Sequence, residues 1–566
     1  FCVMLKIKSI LMSLLAVAAL ASCSNENDDI TDGGEKRDYD VAYMSVSVAV
    51  PQGTRTRAAG SSGETDALDS ETKIKELYLV LFDDQKKVVK ADGATAYYTI
   101  LGESQLSQVD NAPVSPLEPI KVSTESAYLL TIANPGAKLK ALLNGIVAGN
   151  GYADINKEFS VAEDLAEDDN SYLIAEVADL ADKGHGCTMI NAGAFDDLIS
   201  DEWNADCLVD VAASVVKASD YKTDTEAKEA AKGKKATIQI ERLASKLAVT
   251  LKGDGLAIEI VPSTAKFEFK EWTIDYVNSR FFPFATKTKL TATHTGAAYK
   301  SNFYTEDPNF DADGTGKHLV GIISNKIVDY NPKAKWYKHN LLTVAKEEDK
   351  NVAYCTENTM AAADQDFGAA TRLVLKAVYT PYTDFDDDWY QTFFNGTYIN
   401  YKNLGELQTA YNDATGIDEA DRDAVEKLLV ESCDKFINKL NSAFPTAGLA
   451  ADFKDLTQQS LDDLTITNGG EVAKETGIRW FQKSLNYYYY QIRHDNTTDI
   501  GHMAYGKYGV VRNNYYTLNL TKVNGAGTPW YPDVEEPEEE IDKKGAYLHF
   551  EIEVAPWISW GTDFEI

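Results

Sequence analysis

The sequence predicts a mainly β protein with two β-sandwich domains, a few short helices and one helical insertion in the second domain. Short apolar runs with strand-like composition recur along the chain and are separated by loop-like segments. The chain has 566 residues, of which 44% are hydrophobic. A chain of this length is too long for a single core, so two domains are expected. Tyrosine (31 residues) far outnumbers methionine (6) and histidine (7), which favours an extracellular β-rich protein over a cytosolic enzyme.

The N-terminus has the pattern of a bacterial export signal. Lys6 and Lys8 precede an apolar run over 10–20, and the letters LASC then end at Cys23. The apolar run is too short to span a bilayer as a stable helix. We therefore expect a signal peptide with a lipobox over 1–22 and lipidation of Cys23, the alternative being an ordinary signal peptide that ends near a cysteine.

The first predicted strand runs into a segment that a protease would cut easily. Pro51 ends the strand, Arg55 and Arg57 follow, and the chain from Ala58 to about residue 72 is acidic and rich in Gly, Ser and Ala. The apolar positions of this strand alternate along one face: Ala42, Met44, Val46, Val48 and Val50.

The middle of the chain contains strands with few helices. Short helices are predicted over 138–146 and 225–235. Strands are predicted over 74–84, 127–136, 236–253, 267–284, 371–381, 396–401, 486–494 and 513–523.

A helical insertion is predicted over 403–463. Its strongest helix ends before Pro445. The apolar residues of that helix recur at helical spacing: Val425, Leu428, Leu429, Cys433, Phe436 and Leu440.

The C-terminus is predicted to be a long strand beyond a linker. The segment 528–544 is rich in Pro and Glu, so it should be extended and self-repelling. Alternation then continues over 546–566, and a strand of this kind must be covered, paired or prone to aggregation. Its apolar positions are Leu548, Phe550, Ile552, Val554, Ile558, Trp560, Phe564 and Ile566.

No catalytic, cofactor or metal motif stands out, so we predict no enzyme activity, no catalytic residues and no cofactor. The segment from Asn309 to Gly314 begins like a calcium loop, but Val320 occupies the position of the bidentate Glu. The acidic cluster at 384–388 is interpreted as a surface loop in an acidic chain. The four tyrosines at 487–490 fit a strand with alternate rings buried better than a sugar-stacking platform.

Charge and cysteine content exclude further classes. With 88 acidic and 55 basic residues the net charge is -33, which disfavours binding to nucleic acid. The absence of C-x-x-C argues against zinc ribbons and thioredoxin chemistry. Cys187 and Cys207 could pair in an oxidising compartment, an alternative that stays open, while Cys433 is expected in a helix core.

The two terminal strands suggest an assembly mechanism. Loss of the first strand would leave a vacancy in its sheet, and an added strand gains main-chain hydrogen bonds while its alternate side chains fill pockets. The last strand of another copy has the pattern to fill that vacancy. Such a contact is head-to-tail, and its repetition builds a filament.

These features together resemble the fimbrilins, the major fimbrial subunits of Bacteroidetes type V pili, and most closely the shaft subunit of the minor (short) fimbriae. The stretches that carry the resemblance are LASC, ELYLVLFDD, LLTIANPG, IERLASKLAVTL, FKEWTIDYVN, RNNYYTLNLTKV and VAPW, in this order. The helical insertion has no counterpart that we can place.

The resemblance implies two transthyretin-like β-sandwich domains, over 58–252 and 253–566, after a lipidated propeptide at 23–57. It also implies an outer-membrane lipoprotein precursor that becomes part of a fimbrium on the cell surface. An Arg-specific surface protease would cut between Arg57 and Ala58, with Arg55 as the alternative. The removable strand would carry Met44, Val46, Val48 and Val50, and 546–566 would be the donor strand.

The implied partners are copies of the same chain, anchor and tip fimbrial subunits, the protease and, before cleavage, the outer membrane. Two alternatives to the shaft subunit remain at this point. One is an accessory or tip subunit, and the other is a surface lipoprotein adhesin that never polymerises. The terminal strand favours a shaft subunit, because the tip of a polymer need not donate a strand.

Overall fold

The structure is a computed structural model. It describes the residues 41–49, 69–90, 97–108, 112–157, 159–160, 181–182, 186–192, 206–251, 258–278, 280–284, 307–309, 322–323, 338, 340–341, 351–360, 364–365, 368–383, 387–394, 396–462, 464, 469–494, 507–531 and 548–556.

Strands of four or more residues, numbered in chain order, dominate the fold, as the sequence predicts. They are β1 Val41–Met44, β2 Val46–Ala49, β3 Glu76–Phe82, β4 Thr99–Gly102, β5 Ile120–Ser123, β6 Tyr128–Ala133, β7 Ala236–Arg242, β8 Ala244–Leu251, β9 Lys266–Asp275, β10 Ala353–Thr356, β11 Arg372–Thr380, β12 Trp389–Phe394, β13 Thr397–Tyr401, β14 Ile478–Phe481, β15 Leu485–Gln491, β16 Asn514–Val523 and β17 Leu548–Pro556.

Helices of eight or more residues are fewer. They are α1 Ala137–Asn144, α2 Asp224–Lys232, α3 Leu404–Thr415, α4 Ala424–Ala443 and α5 Gly469–Thr476. Both short helices predicted from the sequence are present as α1 and α2.

The two largest sheets of the described first half share the N-terminal strand. A seven-stranded sheet has the order β2, β7, Met189–Asn191, β6, β3 and β4, with Val209–Asp210 added beside β6. A three-stranded sheet places β1 between β5 and Val216–Lys217. The sequence predicts one continuous first strand, but it divides at Ser45 and its two parts enter different sheets.

The second half is joined to the first by an almost continuous run of strand. After Leu243 the chain passes from β7 into β8, which pairs with β16, β10 and Asn340–Leu341. A second sheet has the order β9, β11 and β15. The predicted domain boundary at residue 252 remains a prediction, while the pairing of β8 with later strands favours a boundary at Leu243.

The predicted helical insertion is part of a larger unit with its own core. Helices α3 and α4 pack on the sheet β13–β12–β14, and the buried side chains of this unit include Tyr390, Phe436 and Trp480. Asp423 caps α4 by accepting from the backbone N–H of Val425 and Glu426, which explains where the helix begins.

One position of the predicted apolar face is an exception. Leu428 lies on the predicted apolar face of α4 but is 37% exposed, whereas Leu429 and Cys433 are buried. A helix of this kind buries a stripe about 100° wide, so an apolar residue at the border of the stripe can stay exposed.

Candidate functional site

The first strand belongs to both the three-stranded and the seven-stranded sheet of the first half. Within β1, Val41 lies opposite Ser123 and Met44 opposite Ile120 in antiparallel register. Along β2, Val48 lies opposite Ile238 in parallel register with β7. The backbone of Val48 also exchanges two hydrogen bonds with Val114, of 2.7 and 2.8 Å. Removal of this strand would therefore leave unpaired ladders in two sheets at once.

The predicted apolar face of this strand is buried. Met44, Val46 and Val48 each have 0% exposure. A fully buried Val or Met side chain contributes roughly 1.5–3 kcal/mol relative to the exposed state. Val50, the last residue of the predicted face, lies outside the described residues. A strand that replaced this one would have to supply similar side chains at alternate positions.

The opposite face of β1 is buried as well, which the sequence pattern does not indicate. Val41 and Tyr43 pack in a small cluster with Val216 and α2. The hydroxyl of Tyr43 donates to Asp224 Oδ2 at 2.9 Å, and Lys228 Nζ lies 5.3 Å from the Tyr43 ring centre. This half of the strand is thus held on both faces.

The processing residues lie outside the described part of the chain. These are Cys23, Arg55, Arg57 and Ala58. Their positions in the sequence put both arginines shortly after β2 ends at Ala49. Lipidation and cleavage therefore remain predictions.

The last strand is paired within the same chain. β17 is antiparallel to β16, with a register shift between Leu520 and Lys522. Among the strands that the structure describes, β17 pairs with β16 alone, so it is an edge strand. The register of four predicted donor positions is Leu548 opposite Val523, Phe550 opposite Leu520, Ile552 opposite Leu518 and Val554 opposite Tyr516.

The four residues of β16 at these positions identify the apolar side of the ladder. Val523, Leu520, Leu518 and Tyr516 are each 0% exposed. Residues directly opposite each other in an antiparallel pair share a face of the sheet. The even positions of β17 therefore lie at register positions on the covered face. Ile558, Trp560, Phe564 and Ile566 lie outside the described residues, and the role of the whole segment as a donor remains a prediction.

The two terminal strands are not brought together in one chain. β1 and β2 belong to sheets of the first half, whereas β17 belongs to the sheet built on β8 and β16. An exchange of one for the other would therefore require two copies of the chain.

The four cysteines that the structure describes are buried free thiols. The open alternative of a disulfide is not realised, because neither Cys187 nor Cys207 is in a disulfide. Cys207 Sγ instead lies 3.0 Å from the hydroxyl of Tyr152. Burial raises the pKa of the Cys187 and Cys355 thiols to about 12, which leaves little thiolate near neutral pH. Cys433 is buried in α4, as predicted.

The candidate metal loops have structural explanations where they are described. Within the described ranges, no group of three or more His, Cys, Asp or Glu side chains could hold a metal ion. The carboxylate of Asp388 accepts hydrogen bonds from Trp480 Nε1 (2.8 Å), Gln458 Nε2 (2.9 Å) and the backbone N–H of Lys483 (2.7 Å). It ties the insertion to the neighbouring loop. The calcium-like loop after Asn309, over 310–320, lies outside the described residues.

The tyrosine run lies in β15. Tyr488 is 2% exposed and its neighbours are half-buried, which fits the predicted strand.

Among the helices that the structure describes, none has the length and apolar content needed to cross a membrane.

Comparison with known proteins links the C-terminal part of the chain to one family. Residues 479–563 match the family model described as "Major fimbrial subunit protein type IV, Fimbrillin, C-terminal". The match includes β15, β16 and β17, and it confirms the predicted resemblance to fimbrilins over this part of the chain. No curated protein matches the sequence.

Several solved structures are distantly similar. A Parabacteroides distasonis protein proposed to act in cell adhesion is 10% identical, with 93% of this chain and 98% of that one covered and a TM-score of 0.37. A fimbrilin from Porphyromonas gingivalis is 12% identical, with coverage of 92% and 98% and a TM-score of 0.35. The C-terminally truncated tip fimbrial protein Mfa3 from the same organism is 9% identical, with coverage of 91% and 100% and a TM-score of 0.31.

Proposed function

We propose that this chain is a structural subunit of a fimbria on the bacterial surface, and not an enzyme. The fimbrillin C-terminal match over residues 479–563 supports this proposal. The mainly β architecture is consistent with it. Within the fimbria, the chain serves as a shaft subunit and contacts copies of itself together with anchor and tip subunits.

The proposed precursor is a lipoprotein. Cys23 is acylated after export, and the precursor is displayed on the outer membrane. An Arg-specific protease then cuts between Arg57 and Ala58, or after Arg55. The signal-like residues before Cys23 and the acidic, Gly-, Ser- and Ala-rich composition of the segment after Arg57 support this route.

The observation that carries the proposal is the position of the first strand. β1 and β2 are buried and pair in two sheets, and the arginines follow directly in the sequence. Removal of this strand would open a groove lined by apolar residues of β5 and β7. The donor segment 546–566 of another copy carries the alternation needed to fill it.

Donation requires the last strand to leave the sheet that it forms with β16 of its own chain. Because β17 is an edge strand, its release breaks one ladder of backbone hydrogen bonds, whereas release of β1 and β2 breaks ladders in two sheets. We propose that proteolytic cleavage is what makes release of the first strand possible, although more backbone ladders hold it than hold β17. Cleavage makes the loss of the first strand irreversible. The vacant groove then competes with β16 of another copy for that copy's last strand.

The test is to treat the purified precursor with an Arg-specific protease. We expect a shortened chain that begins near Ala58 and a ladder of oligomers on size-exclusion chromatography and in electron micrographs. A precursor with both Arg55→Lys and Arg57→Lys is the control and should remain uncut and monomeric. Complete trimming that yields only monomers would overturn the polymerisation proposal.

A further inference from the structure

The segment that follows the proposed cleavage region is held by side chains from elsewhere in the fold. Asn134 Oδ1 accepts hydrogen bonds from the backbone N–H of Lys75 (2.8 Å) and Glu76 (3.3 Å). Asn134 Nδ2 donates to the carbonyl oxygen of Lys73 at 2.8 Å. Asn134 has a left-handed backbone (φ 49°), which Asn adopts more readily than most residues. Three consecutive peptide groups before and at the start of β3 are thus bound by one amide side chain.

Two more side chains bind the backbone of the same segment. The Gln108 amide forms two hydrogen bonds with Ile74, accepting from its N–H at 3.1 Å and donating to its carbonyl at 2.6 Å. Arg242 Nε donates to the carbonyl oxygen of Glu71 at 3.0 Å. Short side chain-to-backbone bonds of this kind replace the ladder partners that an isolated chain end lacks.

The side chain of Glu71 adds a buried ion pair. Lys246 Nζ lies 2.9 Å from Glu71 Oε1 and 3.1 Å from Oε2. The Lys246 and Glu71 side chains are 1% and 3% exposed, and the hydroxyl of Tyr354 also donates to the carboxylate. Burial alone would raise the pKa of Glu71, but Lys246 and Arg242 hold it below the ordinary value. The carboxylate is therefore charged, and both of its oxygens contact polar groups.

These partners come from both halves of the chain. Asn134 follows β6, Arg242 ends β7, Lys246 lies in β8 and Tyr354 in β10. Asn134 lies in the stretch LLTIANPG, and Arg242 and Lys246 lie in IERLASKLAVTL. Strand exchange as proposed above uses none of these polar residues.

We propose that these side chains form an N-terminal anchor, which holds the segment 71–76 in place when the first strand is removed. This inference rests on the proposed function. The anchor consists of Glu71, Gln108, Asn134, Arg242, Lys246 and Tyr354. They are positioning residues, because they act on the segment 71–76 and not on the strands that are exchanged.

The anchor has a physical purpose in strand exchange. A cut after Arg57 converts an internal loop into a chain end, and chain ends fray unless they are tied down. β3 lies between β4 and β6 in the sheet that also contains β7, and fraying into β3 would disrupt that sheet. The anchor stops the loss of structure before Ile74, so the groove keeps its shape for the incoming strand.

The test compares two glutamates whose carboxylates contact a lysine in the same region. In Glu71→Gln, Lys246 keeps its charge but loses its buried counter-ion. Glu103→Gln is the matched control, because Glu103 Oε1 lies 2.6 Å from Lys73 Nζ and both side chains are 51% exposed. Each precursor is trimmed with the Arg-specific protease and then exposed briefly to a Lys-specific protease.

We expect cleavage after Lys75 to be at least about tenfold faster in trimmed Glu71→Gln than in trimmed wild type or Glu103→Gln, since cleavage tracks the population of the opened segment. Equal cleavage rates in the two variants would overturn the anchor. Gln108→Ala removes two backbone hydrogen bonds without changing a buried charge. If Glu71→Gln fails to fold, Gln108→Ala takes its place with the same expected result.

Hydrogen exchange of the amides at 74–79 in the uncut precursor separates this inference from the proposed function. The Glu71→Gln variant should exchange faster there than Glu103→Gln even if the wild-type chain never polymerises. Oligomers from wild type together with equal exchange and cleavage in both variants would remove the anchor and leave the proposed function standing.

Discussion

Several fully buried charges in the described part of the chain form ion pairs that also contain hydrogen bonds. The guanidinium of Arg372 donates to Asp275 Oδ2 through Nε (3.0 Å) and Nη2 (2.8 Å), and the Tyr276 ring centre lies 4.5 Å away. The Glu71–Lys246 pair is buried to the same degree. Removing one member of such a pair leaves the other as an uncompensated charge away from water. These pairs therefore stabilise the fold only while both members are present.

The Glu71 pair predicts a dependence of stability on pH. The pKa of Glu71 is lower in the folded chain than its ordinary value of 4.5. The unfolded state therefore binds more protons between the two pKa values, and stability rises with pH in that window. The contribution is fully present above pH 4.5 and is lost as the pH falls through the folded pKa.

We expect Glu71→Gln to lower the free energy of unfolding by about 3–5 kcal/mol near neutral pH. The difference from wild type should shrink as the pH falls below 4.5, because protonated Glu71 resembles Gln. Denaturant titrations at a series of pH values measure this. A difference that stays constant down to pH 2 would contradict the assignment of the effect to the carboxylate charge, and Glu103→Gln should change little at any pH.

At the scale of single elements, the two terminal strands differ in how firmly they are bound. β1 has neighbours on both sides and buries both faces, and β2 pairs with β7 and bridges to Val114. β17 has a single described neighbour, β16, at the edge of its sheet. Exposed edge strands readily pair with other chains, so the natural donor is the strand with fewer partners.

Deletion of 546–566 should leave a folded monomer that is trimmed normally but does not extend a filament. The rest of the chain should fold, because the loss of an edge strand removes one ladder only. Circular dichroism and size-exclusion chromatography before and after trimming measure the two effects. Filaments formed by the trimmed deletion variant would show that another segment is the donor.

At the scale of the whole molecule, the described residues form two large cores. One extends through the sandwich sheets of both halves, and the other lies between α3, α4 and the sheet β13–β12–β14. Trp389 and Phe481, whose rings stack at 3.8 Å, belong to the first core, whereas their sequence neighbours Tyr390 and Trp480 belong to the second. The insertion thus belongs to a unit with its own core, which is built on the sheet β13–β12–β14.

The separate core predicts that a defect in the insertion stays local. Phe436 is 0% exposed and packs edge-on against Tyr390, Phe453 and Trp480. Phe436→Ala should cost about 3–5 kcal/mol and speed hydrogen exchange in α3 and α4, with trimming and oligomer formation unchanged. Phe393→Ala, at a site that is 50% exposed, is the control. Loss of protection in β7 and β8 as well would show that the two cores unfold as one.

Local pattern determined much of the fold and part of the candidate site. Short runs of strand-like composition located β3, β6, β11 and β16, and helical spacing located α4, because each pattern depends on residues that are near one another in the sequence. Alternation also placed Met44, Val46 and Val48 on one face, and all three are buried.

Only the tertiary structure decided which surfaces those faces meet. It divided the first strand at Ser45 between two sheets, paired Leu548 with Val523, and brought Asn134 and Lys246 to the segment that begins at Glu71. Alternation shows which face of a strand is apolar, but the same pattern fits any sheet that offers an apolar face. The choice among sheets depends on contacts between residues far apart in the chain, and local periodicity contains no record of them.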